Sequence, residues 1–299
     1  MNPPDFVVGL DLGGTSVKGA ALALDGGEFQ RTTTPFDLNV PMAFTHAVQT
    51  TLAELETAMG RAASHLGLSA PGLAARDGRS IAFMPGRLEG LVGLDWAAFL
   101  GRPAVPVLND AHAALLGEVW RGAARGAHNV FLLTLGTGVG GAAMVDGQLL
   151  RGHSGKAGHL GHVSLNPHGA PDVTHIPGSL EDAIGNHNVA ARSDGRFVTT
   201  HDLIRAHEAG DAFATHLWLD SVNSLAAAIA SLANVLDPEV VIVGGGIARC
   251  GDTLFVPLRE RVARFEWPVC GHRVRIVPAE LGDFAGAVGA ACGATASSR

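Results

Sequence analysis

Two stretches of the chain share one order of apolar and polar positions. Each begins with an apolar run, breaks at closely spaced glycines and continues as a second apolar run. The first stretch spans residues 6–27 and contains the pair Asp25-Gly26 near its end; the second spans residues 130–147 and ends on the pair Asp146-Gly147. Apolar, β-branched runs bounded by glycine predict buried strands. Each stretch therefore predicts a β-hairpin, and the repeat of a whole supersecondary unit indicates an internal duplication.

The glycine turns inside the two hairpins are suited to binding an anion. The first turn is Gly13-Gly14-Thr15 and the second is Gly136-Thr137-Gly138. Turns with little side-chain bulk let successive backbone N–H groups point at one spot, as they do around phosphates. An ordinary glycine-rich hairpin is the alternative for either turn alone, and the repetition favours phosphate binding.

Charge distinguishes the first hairpin from the second. Asp11 precedes the first glycine turn and Lys18 follows it, whereas the second hairpin has Thr134 and Thr137. A hard cation prefers carboxylate and water oxygens. We therefore expect Asp11 to suit a metal ion that bridges phosphates. Two hairpins that face each other across a cleft would hold a triphosphate between them, with Lys18 beside them.

Helical and strand patterns alternate over the rest of the chain, as is typical of an α/β protein. The predicted helices cover residues 40–60, 96–100, 111–121, 200–209, 212–236, 254–265 and 286–294. The predicted strands outside the first hairpin cover residues 65–69, 81–84, 105–108, 130–135, 142–145, 240–247 and 274–278.

A strand predicted at 105–108 ends on Asn109-Asp110, immediately before a predicted helix. Strand ends that meet helix starts are where α/β proteins place their chemistry. Asp110 is the candidate general base, able to accept the proton of a substrate hydroxyl as its oxygen attacks phosphorus, while Asn109 orients the ligand. The alternative is that Asp110 caps the helix.

Three successive glycines, Gly244-Gly245-Gly246, end the apolar run at 240–247. They remove side chains where a flat group such as the adenosine of a nucleotide would lie against backbone. Six histidines lie between residues 151 and 188. Because no cysteine accompanies them, His159 and His162 alone are a weak metal-ligand pair.

Composition limits the class of protein. The chain has 299 residues, a length that favours two domains, and a net charge of −7 without a Lys/Arg block, which argues against nucleic acid or an anionic membrane as the main partner. The N-terminal residues have no signal-like core, and no apolar run reaches about 18 residues. We expect a cytoplasmic protein, and the three cysteines predict thiols rather than disulfides.

Five motifs in order, GLDLGGTSVKGA, LNDAHAALLGE, LTLGTGVGGA, the final G-H of AGHLGH, and VIVGGGI, resemble the ROK family of sugar kinases within the actin-like ATPase superfold. The resemblance covers essentially the whole chain. It implies a two-lobed α/β, ribonuclease H-like fold with duplicated β-hairpin/α units and an interlobe cleft. The small lobe is expected at residues 1–112, completed by 284–299, and the large lobe at 113–283.

The resemblance also implies roles for individual residues. Asp11 and Gly13-Gly14-Thr15 match the first phosphate loop, Gly136-Thr137-Gly138 the second, and Gly244-Gly245-Gly246 the adenosine loop. Asn109 and Asp110 match the sugar-binding pair, with Asp110 as catalytic base. His162 and Glu181 match further sugar contacts, and Gly72, in the turn after the strand at 65–69, is added to the predicted sugar-binding residues.

The departures from the family pattern concern the sugar. The family sequence E-x-G-H reads His159-Leu160-Gly161-His162 here, so His159 stands where an acidic sugar contact is usual. The family's zinc loop falls on residues 172–179, and its three cysteine positions hold Asp172, Thr174 and Ser179. Thiolates supply most of the affinity of such a site, so zinc is not expected.

The expected function is therefore ATP- and Mg²⁺-dependent phosphorylation of a hexose hydroxyl, with glucose as the default acceptor. One alternative is a catalytically weak sugar-binding sensor, suggested by His159; a repressor is disfavoured because only about five residues precede the first strand, which leaves no helix-turn-helix. Another alternative is polyphosphate as the donor. The family implies a homodimer.

Overall fold

The computed structural model describes residues 5–24, 27–86 and 88–296. The predicted turn at Asp25-Gly26 and the last three residues of the predicted segment 284–299 lie outside the described residues. The chain forms two compact units, the first of Met1–Gly126, Arg151–Ala157 and Glu280–Arg299, the second of Ala127–Leu150 and Gly158–Ala279. The boundary expected after residue 112 falls within a helix, Asp110–Arg121, which belongs to the first unit.

The strands of the described residues are β1 Phe6–Leu12, β2 Ser16–Ala23, β3 Glu28–Pro35, β4 His65–Ala70, β5 Leu73–Ala74, β6 Ile81–Phe83, β7 Val107–Asn109, β8 Val130–Leu135, β9 Val139–Val145, β10 Gln148–Leu149, β11 Val240–Gly244 and β12 Arg275–Pro278. The α-helices there are α1 Ala43–Met59, α2 Trp96–Leu100, α3 Asp110–Arg121, α4 Leu180–Ile184, α5 Val189–Arg192, α6 Thr200–Glu208, α7 Ala212–Leu236, α8 Asp252–Phe265 and α9 Ala285–Ala296.

The duplication predicted from the sequence is present in the fold. The main sheet of the first unit has the strand order β3-β2-β1-β4-β7, and that of the second has the order β10-β9-β8-β11-β12. In both sheets the first three strands pair antiparallel and the remaining pairs are parallel. The two glycine turns therefore join topologically equivalent strands, β1 to β2 and β8 to β9.

Glycine allows α9 to approach the sheet of the first unit closely. A Cβ atom added to Gly9 of β1 would lie 1.9 Å from the carbonyl oxygen of Ala287, and one on Gly67 of β4 would lie 2.0 Å from that of Ala290. Neither contact leaves room for a side chain. Helix α9 thus packs backbone to backbone on β1 and β4, and its alanines complete that core.

The core of the second unit is organised by α7, whose predicted bounds are confirmed. Trp218, Leu225 and Ile229 are fully buried, and the Trp218 indole N–H donates a hydrogen bond to the carbonyl of Thr253 at 3.1 Å. Within the described residues, α7 alone is long and apolar enough to cross a membrane by length and composition. The core helix of a globular protein can pass the same test, and 44% of the apolar 18-residue window of α7 is buried inside the structure.

Local signals predicted several element boundaries and misplaced others. Asp95 caps α2 as predicted, its side chain accepting the N–H of Ala98. Strand β9 begins at Val139 rather than residue 142, because Val139 already pairs with Leu135 across the turn. The strand predicted at 240–247 ends at Gly244, since Gly245 adopts a positive φ of 87° that a strand does not continue through.

Candidate active site

The first glycine turn is open at its tip. The N–H of Gly13 donates to the carbonyl of Ser16 at 2.9 Å, which closes the turn. Gly14 and Thr15 are exposed, and a Cβ on Gly14 would meet no atom within 4 Å. Turn geometry of this kind leaves backbone groups accessible to a ligand.

Asp11 lies beside this turn in a setting that disfavours its charge. It pairs with Lys18 across β1 and β2, and its Oδ1 accepts a hydrogen bond from the Ser69 hydroxyl at 2.8 Å. Burial raises the pKa of Asp11 to about 6; the Ser69 hydrogen bond and the Lys18 charge oppose this rise, and the nearby Asp110 charge adds to it. Two neighbouring carboxylates with one partly buried form an arrangement that a divalent cation would stabilise.

The amino-terminal end of α9 approaches the same carboxylate. A Cβ on Gly286, the second residue of α9, would lie 2.5 Å from Cγ of Asp11 and 2.6 and 2.7 Å from its two oxygens. A glycine is therefore required there for Asp11 to keep its position. The positive end of the helix dipole also favours a carboxylate at this place.

Asn109 and Asp110 follow β7 and divide the predicted roles. The Asn109 side-chain oxygen accepts the N–H groups of Ala111 at 3.0 Å and His112 at 3.2 Å, so Asn109 is the N-cap of α3. Asp110 is the first residue of α3; its Oδ1 accepts the N–H of Ala111 at 2.8 Å and the residue is exposed. The alternative that Asp110 caps the helix is wrong, because Asn109 occupies the cap.

The other end of the Asn109 amide holds the predicted sugar-binding glycine. Its Nδ2 donates to the carbonyl of Gly72 at 2.8 Å. Gly72 has φ 101°, and a Cβ there would lie 2.5 Å from the carbonyl oxygen of Phe83. Asn109 thus fixes the turn after β4 relative to the start of α3, and both its amide oxygen and its amide nitrogen are used within the protein.

The second glycine turn is in contact with α4. The N–H of Gly136 donates to the carbonyl of Gly138 at 2.9 Å, and the Glu181 carboxylate accepts the N–H of Val139 at 2.9 Å. A Cβ on Gly138 would lie 2.2 Å from Oε2 of Glu181. Gly138 is therefore needed for contact with Glu181, and this predicted sugar contact also braces the turn.

A short 3-10 turn, Asn186–Asn188, contacts the same loop. The N–H of Asn186 donates to the carbonyl of Gly136 and that of His187 to the carbonyl of Thr137, both at 2.9 Å. These residues were not predicted from the sequence. Backbone hydrogen bonds between segments about fifty positions apart leave no local pattern in a sequence.

Residues 172–179 are organised around a carboxylate. The side chain of Asp172 is fully buried, and its Oδ1 accepts hydrogen bonds from the N–H and hydroxyl of Thr174, both at 2.8 Å, and from the N–H of Ile176 at 3.0 Å. Burial opposes ionisation, but these bonds and one from Ser179 outweigh it and lower the pKa of Asp172 well below its usual range. Oδ2 lies 3.3 Å from Nδ1 of His162.

His162 is thereby linked to the three positions that correspond to the family's zinc cysteines. His159 is half-buried and immediately precedes the 3-10 turn Leu160–His162 that contains His162. Among the described residues, no group of three or more His, Cys, Asp or Glu side chains is arranged to hold a metal ion.

The three glycines at the end of β11 have different surroundings. A Cβ on Gly245 would lie 2.3 Å from the carbonyl oxygen of Leu135, and one on Gly244 would lie 2.9 Å from Cβ of Ala279. Close packing within the second unit therefore accounts for these two. A Cβ on Gly246 would meet nothing within 4 Å, so no neighbouring atom of the protein requires a glycine there.

The duplicated strand order, with a glycine turn in each copy, defines an α/β protein of the actin-like ATPase fold. Among solved structures, the ROK hexokinase from Thermus thermophilus superposes with a TM-score of 0.88 at 30% identity over 98% of this chain and 99% of that one. A ROK family glucokinase from Streptomyces griseus, in complex with glucose and AMPPNP, gives a TM-score of 0.78 at 25% identity over 97% and 99%.

The sequence comparisons agree with the fold. The glucokinase of Halalkalibacterium halodurans is 32% identical over 314 aligned positions, which cover 95% of this chain and 93% of the relative. The ROK family profile matches residues 7–296. The chain belongs to the ROK family.

Proposed function

We propose that the protein transfers the γ-phosphoryl group of ATP to a hydroxyl group of a hexose, with glucose as the expected acceptor and Asp110 as the general base. That it is an ATP-dependent sugar kinase follows from its family and its full-length glucokinase relatives.

The observation that carries the role of Asp110 is its place at the carboxyl end of β7. Asn109 caps α3, so the exposed Asp110 carboxylate is not required as a cap. In the proposed step, Asp110 accepts the proton of the sugar hydroxyl as that oxygen attacks phosphorus. Asn109 holds the Gly72 turn in place, and His162, His159 and Glu181 are the proposed further sugar contacts.

Nucleotide binding is assigned to the glycine segments and to Asp11. Gly13-Gly14-Thr15 and Gly136-Thr137-Gly138 present backbone N–H groups to phosphate oxygens, apart from those of Gly13 and Gly136, which donate within their own turns. Lys18 adds charge, and Gly244-Gly245-Gly246 accommodate adenosine. Asp11 fits Mg²⁺, which it would hold through water or a phosphate oxygen, because its carboxylate lies near a second negative charge and ionises only at about pH 6. Bound Mg²⁺ neutralises charge that develops on the phosphates.

The test is ADP release from Mg-ATP with a panel of hexoses, comparing wild type with Asp110→Asn. The substitution keeps the size of the side chain and its bond to Ala111, and it should lower kcat by about 10²- to 10⁴-fold. Asp95→Asn is the matched control, because asparagine also caps a helix well. Near-full turnover by Asp110→Asn would remove Asp110 from the mechanism.

His159 favours one other candidate function, a sugar-binding sensor with weak catalysis. A histidine in place of the family glutamate removes a negative charge from the proposed sugar site. Calorimetric binding of a hexose without any sugar-stimulated ADP release would support the sensor. The same assay with polyphosphate in place of ATP tests the remaining alternative donor.

A further inference from the structure

A histidine in contact with the second glycine turn has no part in the roles proposed above. The backbone N–H and the Nδ1 atom of His187 each lie 2.9 Å from the carbonyl oxygen of Thr137. Its other ring nitrogen, Nε2, lies 2.8 Å from Oδ1 of Asp182. The imidazole therefore connects the middle residue of the turn to α4.

Both partners of the ring are hydrogen-bond acceptors. A carbonyl oxygen has no proton to give, and an ionised carboxylate has none either. A neutral imidazole carries one N–H, so its second nitrogen would direct a lone pair at an acceptor. While Asp182 is ionised, only the doubly protonated ring donates at both contacts, and the geometry thus favours an imidazolium at His187. The Thr137 carbonyl, with two lone pairs, can accept both the backbone and the ring N–H.

The surroundings favour the charged form. Partial burial lowers the pKa of His187, but the hydrogen bonds to Thr137 and Asp182 and the negative charges of Glu181 and Asp182 outweigh it, so the pKa lies above its ordinary value. The turn at 136–138 contributes no charged side chain. Arg192 of α5 interacts with Asp182. Helix α6 contacts this segment through the Thr200 N–H, which donates to Asn186 at 2.7 Å; exposed His201 follows.

We propose that the His187 imidazolium is a positioning residue for the second phosphate turn. By holding the Thr137 carbonyl from behind, it keeps the adjoining backbone N–H groups directed toward the nucleotide's phosphates. The inference rests on the proposed function only in assigning this turn to ATP. Because the folded-state pKa is raised, the contact is complete below about pH 6.5 and is lost as the pH rises through the raised value.

The experiment measures binding of Mg-AMPPNP by calorimetry between about pH 6 and pH 8.5, where a histidine titrates. His187→Gln should weaken binding about 3- to 10-fold at the lowest pH, the effect of one lost hydrogen bond, and should bind with less pH dependence than wild type. His216→Gln is the control, since His216 has a side chain 78% exposed and pairs with Asp220 on α7. It should follow wild type throughout.

A second variant covers the case in which His187→Gln does not fold. Asp182→Asn keeps an acceptor oxygen but removes the negative charge that favours the imidazolium. The affinity of this variant for Mg-AMPPNP should therefore decline at a lower pH than that of wild type. In turnover, both variants should raise KM for ATP and leave KM for the sugar unchanged. Parallel binding curves for wild type and the two variants would overturn the role of His187 even if the kinase activity is found. Absence of AMPPNP binding by wild type would overturn the assignment of the turn itself.

Discussion

Replacing Gly286 by alanine tests whether α9 controls the position of Asp11. Gly286 is buried in α9, and at an unobstructed helix position alanine is favoured over glycine by about 1 kcal/mol. Here the added Cβ would lie 2.5–2.7 Å from the Asp11 carboxyl group, where real Cβ atoms do not approach within 3.0 Å. The Asp11 carboxylate or the end of α9 must therefore move.

The movement of Asp11 or α9 that Gly286→Ala requires is short, but its expected effect on the catalytic rate is large. Relief of the contact needs a shift of roughly 0.5–1 Å, and misplacement by about 1 Å at a catalytic site can cost about 10²-fold in rate. The same shift would lengthen the 2.8 Å hydrogen bond between Asp11 and Ser69. We expect Gly286→Ala to lower kcat/KM for Mg-ATP by about 10- to 100-fold while the protein stays folded.

The assay compares steady-state kinetics and melting temperature for Gly286→Ala and Gly293→Ala. Gly293 lies in the same helix, but its added Cβ would meet only the flexible side chain of Leu108, at 2.9 Å. The control should keep its activity. Unchanged kinetics of Gly286→Ala would refute the reasoning, as would equal loss of activity in both variants.

Three further predictions concern single carboxyl groups. Asp172→Asn should lower the free energy of unfolding by about 2 kcal/mol, because the hydrogen bonds of the carboxylate are charge-assisted, and should raise KM for the sugar through His162. Since the pKa of Asp172 is lowered, urea titrations should show the stability difference between wild type and variant above about pH 4. The difference should disappear on further acidification. Glu118→Gln should lower the free energy of unfolding, measured in urea, by about 1–2 kcal/mol. The reason is that the buried Glu118 carboxylate accepts hydrogen bonds from the backbone N–H groups of Ala123, Glu280 and Leu281. The Mg²⁺ concentration for half-maximal rate should rise as the pH falls below about 6, where Asp11 protonates; a flat dependence would contradict its role as the Mg²⁺ contact.

The sequence was sufficient for features with a local or repeated signature. The two hairpins, their duplication and the cap at Asp95 all follow from periodicity, glycine placement and capping chemistry. The same rules found the pair Asn109-Asp110, but they offered Asp110 as the possible cap of α3, whereas Asn109 is the cap. That choice depends on the backbone direction at one residue, which no propensity encodes.

Contacts between distant segments were outside the reach of the sequence. The bond from Val139 to Glu181 spans 42 positions, and the contact of His187 with Thr137 spans 50. The sequence predicts that Gly138 and Gly245 are glycines because a ligand binds there, yet each also accommodates a neighbouring part of the protein. Steric needs inside the fold and at a binding surface select the same residue, so composition alone does not separate them.

The late position of α9 in the chain has a consequence for folding during synthesis. Strands β1 and β4 leave the ribosome early, but the helix that covers Gly9 and Gly67 follows only after all of residues 127–279. The second unit is complete at that stage and can fold first, whereas the first waits with one face of its sheet uncovered. Nascent chains of this protein should therefore bind chaperones through β1 and β4. The chaperones should be released once α9 has been synthesised and covers these strands.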